Sequence, residues 1–393
     1  MLAWFVLAAV SAIADAPAIV PSAHAAPRPL DKSETELCLL CKQMYSAYRD
    51  FYSRADSFKE DAERERYCAE NDPATKYVPR LTDFERLHHG THAGLMAARR
   101  LVLLGGDGEP NNPRALGLRY ALSVLADYAN APELPEIIRY LDSGDFEPEA
   151  GAFLRKMVDS ADASDQNRAF ARYMLARCAL TMRDAREFAE RRLTELQNGL
   201  TPRFPNEHRF VAKWLSSSAV PSDKIATLER EALGSLDSLC ASDCDLRQPA
   251  VAAIDDDWYI VRVDLPKSKS MPLVKDLAAG LLFKERHLRV GKPAPDLRLR
   301  LVSGHEWSLA EQCGKVVVIQ FSFKGCGPCE EMYPDLRAVA AEYDKKVSIL
   351  SVMADQNCKD TIDAVETGKL SWNVYWDGFR GALATKWAVQ AFP

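Results

Sequence analysis

The run Val316-Val317-Val318-Ile319-Gln320-Phe321, followed after three residues by Gly325-Cys326-Gly327-Pro328-Cys329-Glu330-Glu331-Met332-Tyr333, decides how this chain is read. A near-continuous apolar run of that length is expected of a strand covered on both faces in a parallel sheet. The two cysteines then fall where a helix should open, and Val347 to Met353 supplies a second strand beyond it. Strand, short turn, CxxC, helix and parallel strand make a βαβ unit. In that setting the spacing reads as dithiol redox chemistry rather than as half of a zinc site.

Each residue of the motif has a physical reason to be there. Cys326 stands at the helix start, where unpaired amides and the helix dipole favour thiolate over thiol, so it is the expected nucleophile. Cys329 lies one turn along and deeper. It is placed to attack a mixed disulfide at Cys326 and release the reduced partner. Between them, Gly327 and Pro328 fit a first turn, in which the missing proline amide costs no hydrogen bond. Pro334 should kink the crossover helix, expected from Cys326 to Glu342. Lys324 supports the thiolate, whereas Glu330, four residues on from Cys326, and Glu331 oppose it.

Working outward, Leu297, Leu299 and Leu301 alternate with Arg298 and Arg300 as a half-buried strand, and Ser303-Gly304 turns it toward a second arm at Trp307 and Leu309. His287 to Pro295 reads as a proline-bearing linker, and Met271 to Lys284 as the last helix before it. Upstream, apolar stripes such as Leu118, Ala121, Leu122 and Leu125, or Ala171, Met174, Leu175, Cys178 and Met182, recur at helical spacing. Short helices with one apolar stripe must stack to bury it, so helical hairpins of tetratricopeptide-like (TPR-like) style are expected, without a strict repeat. Trp258 to Val263 is β-like and is left open between a strand and an extended connector.

Composition narrows the function. The chain has 393 residues, enough for two or three domains, and its formal net charge of -6 offers no basic surface for nucleic acid. Leu2 to Ala14 is an apolar run too short to span a bilayer, and Ala23-His24-Ala25 gives a small-x-small cleavage pattern. Export is the reading, although the segment before the run carries no Lys or Arg; an uncleaved leader would act as an anchor. Ten cysteines in an exported chain imply that some are oxidised.

With these residues in hand, the segment from Val290 to Pro393 resembles the extracytoplasmic thioredoxins of the TlpA and ResA type, also described as redoxin domains. The resemblance is carried by Val290-Gly291-Lys292-Pro293-Ala294-Pro295, by Gly314-Lys315 leading into the strand, by the dithiol itself, and by Trp387 to Pro393, similar to the family's run into its cis-proline. It implies a thioredoxin-like fold and an exported thiol:disulfide oxidoreductase without a cofactor. Its partners would be disulfide-bearing client proteins and a membrane electron donor that re-reduces the dithiol. Three departures stand out. Gly325 replaces the tryptophan that precedes the first cysteine in thioredoxins. Gln320 stands where they bury an aspartate that accepts a proton, which an amide cannot do. The chain stops at Pro393, where the family continues with two strands and a helix, so the domain is read as incomplete and the chain as part of a longer protein.

The expected architecture is therefore a multidomain α+β chain. It has a signal peptide at 1–25, an all-α helical-hairpin region at 26–286, and an incomplete α/β thioredoxin-like domain at 287–393. Other motifs are read as structural. Cys38-Leu39-Leu40-Cys41 lacks the following His of a haem site and should be core or disulfide-forming, with Cys68 as a candidate partner. Cys240 and Cys244 suit a structural disulfide, and Cys178 a buried thiol. His88, His89 and His92 have no second ligand pair and read as a solvated helix end around Gly90, so no metal site is expected. Two rival functions are weighed. One is a helical binding scaffold with an accessory redox domain. The other is a thiol peroxidase, for which Ile319 and Phe323 occupy positions that need Pro and Thr or Ser. N-terminal sequencing of the exported product should begin at Ala26; an intact Met1 on membrane-held protein would turn the leader into an anchor.

Overall fold

The computed structural model describes residues 28–105, 111–141, 149–202, 206–217, 222–242, 246–247, 250–264, 272–343, 345–389 and 392. The expectations for the leader, for Cys244 and for Pro393 fall outside the described residues. The chain divides into two compact units, Pro21–Ser268 and Lys269–Pro393.

The first unit is helical. Its helices are α1 (Lys32–Ala55), α2 (Asp61–Asn71), α3 (Ala74–Leu87), α4 (His92–Leu104), α5 (Pro113–Leu125), α6 (Leu134–Ile138), α7 (Glu149–Asp159), α8 (Asp165–Gln197), α9 (Glu207–Ser217) and α10 (Ser222–Ala241). The starts of α1, α4, α5 and α8 are set by side chains that take up orphan amides. Asp31 and Glu34 form a reciprocal capping box on α1, and Asn112 with Pro113 opens α5. Neighbours in sequence pack as neighbours in space: α3 with α4 and α5, and α8 with α7, α9 and α10. Helix α8 has 33 residues, about 50 Å at the usual rise, and so serves as a spine for shorter partners, α6 among them. The expected stripes are inside, with Ala121, Leu125, Ala171 and Met174 fully buried.

This unit also holds an antiparallel pair, β1 (Ala250–Ala253) and β2 (Val261–Asp264). The β-like stretch is thus partly strand. Trp258 sits in the connecting turn with a left-handed φ of 59°, and its carbonyl accepts from both Arg99 and Arg100 on α4, at 3.2 and 3.1 Å.

The second unit begins earlier than expected. It opens with α11 (Val274–Phe283), which continues as a π-helical turn to Leu288. The boundary expected at residue 287 falls inside this unit, because α11 packs on its last helix, α15 (Ala382–Lys386). Lys386 lies over the Phe283 ring at 4.8 Å. Between these two helices come β3 (Arg298–Arg300), β4 (Glu306–Ser308), β5 (Val316–Ser322), α12 (Gly327–Glu331), α13 (Tyr333–Glu342), β6 (Val347–Met353), α14 (Cys358–Glu366) and β7 (Asn373–Trp376). Strands β3 and β4 form the predicted hairpin, and β5, β6 and β7 a parallel sheet in that order.

The sheet separates two cores. One face buries Leu350 and Val352 with Leu299, Leu301 and Trp307 of the hairpin; the other buries Ile349 and Met353 with Tyr333 and Leu336 of α13. Strand β6, paired on both sides, is buried from Ser348 to Met353. Strand β5 departs from the expected two-sided burial. Val316 is 65% exposed and its apolar neighbours are half-buried, because among the described residues β5 pairs only with β6. Among the described residues no helix is long and apolar enough to cross a membrane.

Gly280 of α11 is buried, and a β-carbon there would overlap the Thr385 carbonyl oxygen of α15. Since that oxygen is backbone and cannot swing aside, Gly280→Ala should destabilise the second unit by about 1–3 kcal/mol. Denaturant unfolding checks this through a lowered midpoint; an unchanged midpoint would mean that α11 does not dock as described.

Candidate functional site

The sequence dictates where the dithiol sits. Phe323, Lys324 and Gly325 carry the chain off the end of β5, and Gly325 adopts a φ of 87°, the left-handed region that glycine tolerates without strain. This gives a backbone reason for the departure from tryptophan at that position. Cys326 then caps α12, its carbonyl accepting from the Glu330 amide at 3.0 Å. Pro328 lies in the first turn as expected. The crossover helix is not a single kinked rod. It breaks at Met332 into α12 and α13, with Pro334 in the first turn of the second piece, where its missing amide costs nothing.

Cys326 and Cys329 are joined as a disulfide with their Cα atoms 5.3 Å apart. Both sulfur-bearing residues are buried, Cys329 completely and Cys326 at 6% exposure. Cys326 is therefore less open than a helix-start position suggests. Phe323 packs edge-on against Phe392 close by, with ring centroids 5.1 Å apart.

Two of the charges expected to compete at Cys326, Lys324 and Glu330, each have their own partner, whereas Glu331 is exposed. Lys324 Nζ pairs with Asp360 of α14 at 2.7 Å, and this contact raises its pKa. Glu330 Oε1 pairs with Lys369 Nζ at 2.7 Å and also accepts from the Gly325 amide at 3.1 Å. The Lys369 contact, aided by that amide, holds the Glu330 carboxyl below the usual range. Its stabilising contacts are thus complete above the ordinary carboxylate pKa and are lost as the pH falls through the depressed value. Both partners are partly exposed, so solvent screens the effect.

Asp355, which sequence reasoning missed, fixes the loop from the neighbouring strand. Its carboxylate accepts from the Lys324 amide at 2.7 Å and from the Thr361 hydroxyl at 2.5 Å. Register makes this readable afterwards: Ser322 pairs with Met353, so the residues two beyond each strand end lie side by side. Gln320 is 5% exposed and donates to the Cys329 carbonyl at 3.4 Å. Ser351 and Trp372, also missed, continue that contact.

The remaining motifs belong to the helical unit. Cys38 and Cys41 are buried thiols of α1 rather than a disulfide, and Cys68 is also a thiol. Burial, with Asp255 accepting from the Cys38 sulfur at 3.4 Å, pushes the Cys38 thiol up to about 12, and burial raises Cys41 as well. Cys178 is buried, as expected, and donates to the Leu141 carbonyl at 3.7 Å. Of the imidazoles, His89 is exposed as expected and His92 is half-buried, and both reach buried carboxylates. His89 contacts Glu85 at 2.6 Å, and His92 bridges Glu34 and the Val261 carbonyl at 2.8 and 3.0 Å.

A parallel sheet whose strand ends in a CxxC helix start, with an antiparallel hairpin alongside, is a thioredoxin-like redoxin domain. Residues 290–391 match the AhpC/TSA family. A curated relative, thioredoxin-like protein YneN of Bacillus subtilis, is 33% identical over 113 residues, which cover 28% of this chain and 65% of that protein. The chain thus spans just under two thirds of that relative. Among solved structures, the thioredoxin domain of a thiol-disulfide oxidoreductase of Bacteroides vulgatus is 28% identical over 27% of this chain and 77% of its own, with a TM-score of 0.24. A thioredoxin-like protein of Bacteroides caccae is 14% identical over 72% of this chain and 76% of its own, with a TM-score of 0.25. The sequence matches, and not these superpositions, carry the assignment of the domain.

In the reduced protein Cys326 is expected to react with iodoacetamide ahead of Cys329, being at the helix start and the less buried of the two. Peptide mapping after brief labelling gives the order, and faster loss of the Cys329 thiol would reverse it.

Proposed function

We propose that this protein is an exported thiol:disulfide oxidoreductase that reduces or isomerises disulfides in client proteins. The observation that carries the reading is the Cys326–Cys329 disulfide at the start of α12, beyond a parallel strand of a redoxin domain. In the reduced state Cys326 attacks a client disulfide, and the client sulfur that leaves takes a proton. Cys329 then attacks the mixed disulfide at Cys326, which closes the ring and releases the reduced client. A membrane electron donor would restore the dithiol. The apolar run Leu2 to Ala14 and the small residues around Ala25 support export.

The direction follows from the local charges. Lys324 and Glu330 are each neutralised by a partner, leaving the helix start as the main support for a Cys326 thiolate. Strongly oxidising couples owe their potential to a much stabilised thiolate, so a value nearer about -270 mV than about -120 mV is expected. The AhpC/TSA match also admits thiol peroxidases, but Ile319 and Phe323 occupy the positions that such enzymes give to Pro and Thr or Ser.

Equilibration of the full chain in dithiothreitol or glutathione buffers measures the potential, and a value above about -180 mV would reverse the direction. Insulin-disulfide reduction separates an oxidoreductase from a helical scaffold. Rapid turnover of hydrogen peroxide without insulin reduction would make the protein a peroxidase. A Cys329→Ser variant should hold clients as mixed disulfides through Cys326.

A further inference from the structure

The sheet face beneath α12 and α13 is apolar except for a run of polar residues. Two of them, Gln320 and Ser351, stand directly opposite each other in the β5–β6 register. They are 5% and 0% exposed, on the face that buries Ile349, Met353 and Tyr333. Polar groups at such depth are costly unless every one is matched.

They are matched in a single direction, and the direction starts at Trp372. An indole nitrogen can only donate, and Trp372 Nε1 lies 2.8 Å from Ser351 Oγ. The serine oxygen therefore accepts there, and its own proton is left for Gln320 Oε1 at 3.2 Å. With that oxygen engaged, the amide nitrogen of Gln320 faces the Cys329 carbonyl at 3.4 Å. A carbonyl only accepts, so the chain closes without an unmatched group. The indole thus fixes which way the glutamine points.

We propose that Trp372 and Ser351 are positioning residues for the dithiol, locking Gln320 as a donor against the turn that carries the buried sulfur. An amide so held cannot take a proton. Of the nearby acids, Glu330 is committed to Lys369 and to the Gly325 amide, Asp355 to the Lys324 amide and the Thr361 hydroxyl, and Glu331 is exposed to solvent while the Cys329 sulfur is buried. The Cys329 proton therefore passes to hydroxide from solvent, giving water and the Cys329 thiolate. That thiolate attacks Cys326 Sγ; the Cys326–Cys329 bond forms, the bond to the bound sulfur breaks, and the leaving sulfur departs with the electron pair.

The inference rests on the dithiol reading above, but its test needs no client protein. Reduced full-length protein is mixed with one equivalent of the aromatic disulfide 5,5'-dithiobis(2-nitrobenzoate). Attack by Cys326 releases one coloured thiolate, and resolution by Cys329 releases the second. The Cys329→Ser variant, which cannot resolve, subtracts release from other thiols. The second phase should quicken about tenfold per pH unit through the neutral range, as thiol ionisation does below its pKa. Gln320→Glu, which supplies an acceptor, should make that profile level off.

Trp372→Phe keeps the edge-on packing against Tyr333, at 5.8 Å, but loses the donor. It and Ser351→Ala should each slow the second phase about fivefold, the weight of one hydrogen bond. The first phase should stay within about twofold, since this chain of contacts touches Cys329 and not Cys326. The double variant should be no slower than the slower single one, because both act through Gln320. A wild-type profile that levels off below the thiol range, equal slowing of both phases, or additive losses would overturn the proposal. Absence of any second phase in the wild type would remove the dithiol reading itself, and this proposal with it.

Discussion

The pairing register of β5 with β6 is the constraint on which the redox site depends. It sets Gln320 beside Ser351 and Ser322 beside Met353, and it brings the two strand ends together so that Asp355 can hold the Lys324 amide. A slip of one residue would turn each side chain of β5 to the other face. Gln320 and Ser322 would then enter the layer shared with Leu350 and Val352, where the hairpin packs. In the observed register both are matched, Gln320 through Ser351 and Ser322 through the Tyr333 hydroxyl at 2.9 Å. The polar residues of an otherwise apolar face therefore select one alignment of the strands as well as one orientation of the first helical turn.

Around this turn, electrostatics is local and largely cancelled. The first turn of α14 and the segment just beyond that helix supply the counter-charges: Asp360 for Lys324, and Lys369 for Glu330. Exposed pairs of this kind add little stability. Their effect is geometric. With the Asp355 carboxylate on the Lys324 amide and the Glu330 carboxylate on the Gly325 amide, the two residues before Cys326 are held through their backbone. The loop that presents the dithiol is thus secured by Asp355, just past the end of β6, and by Glu330 of α12.

Much of this was legible in the sequence. The apolar run and the CxxC placed the βαβ unit, and the alternation of Leu297, Leu299 and Leu301 placed the first arm of the hairpin. Other features were less visible because they depend on contacts between distant residues. Lys324 and Glu330 look like competing charges when only neighbours along the chain are counted, and partners 36 and 39 residues away cancel them. Asp355, Ser351 and Trp372 carry no motif; only the strand register brings them to the site. His89 and His92 look solvated beside Gly90, yet they reach the buried carboxylates of Glu85 and Glu34. Pro334 announced an interruption, but whether a proline bends a helix or begins a new one is decided by how the preceding turn packs.

Helix α11 changes how the molecule can be taken apart. The family match starts at residue 290, and a fragment cut there would still hold all of the matched residues. Val274, Ala278 and Leu281 are buried, and Gly280 lets the α11 backbone approach that of α15 closely. Cutting at 290 would strip this cover from α15, around Thr385 and Lys386, and leave an apolar scar on the excised domain. Poor expression or clumping of such a fragment would then reflect the cut rather than the dithiol, so the unit to isolate begins ahead of Val274.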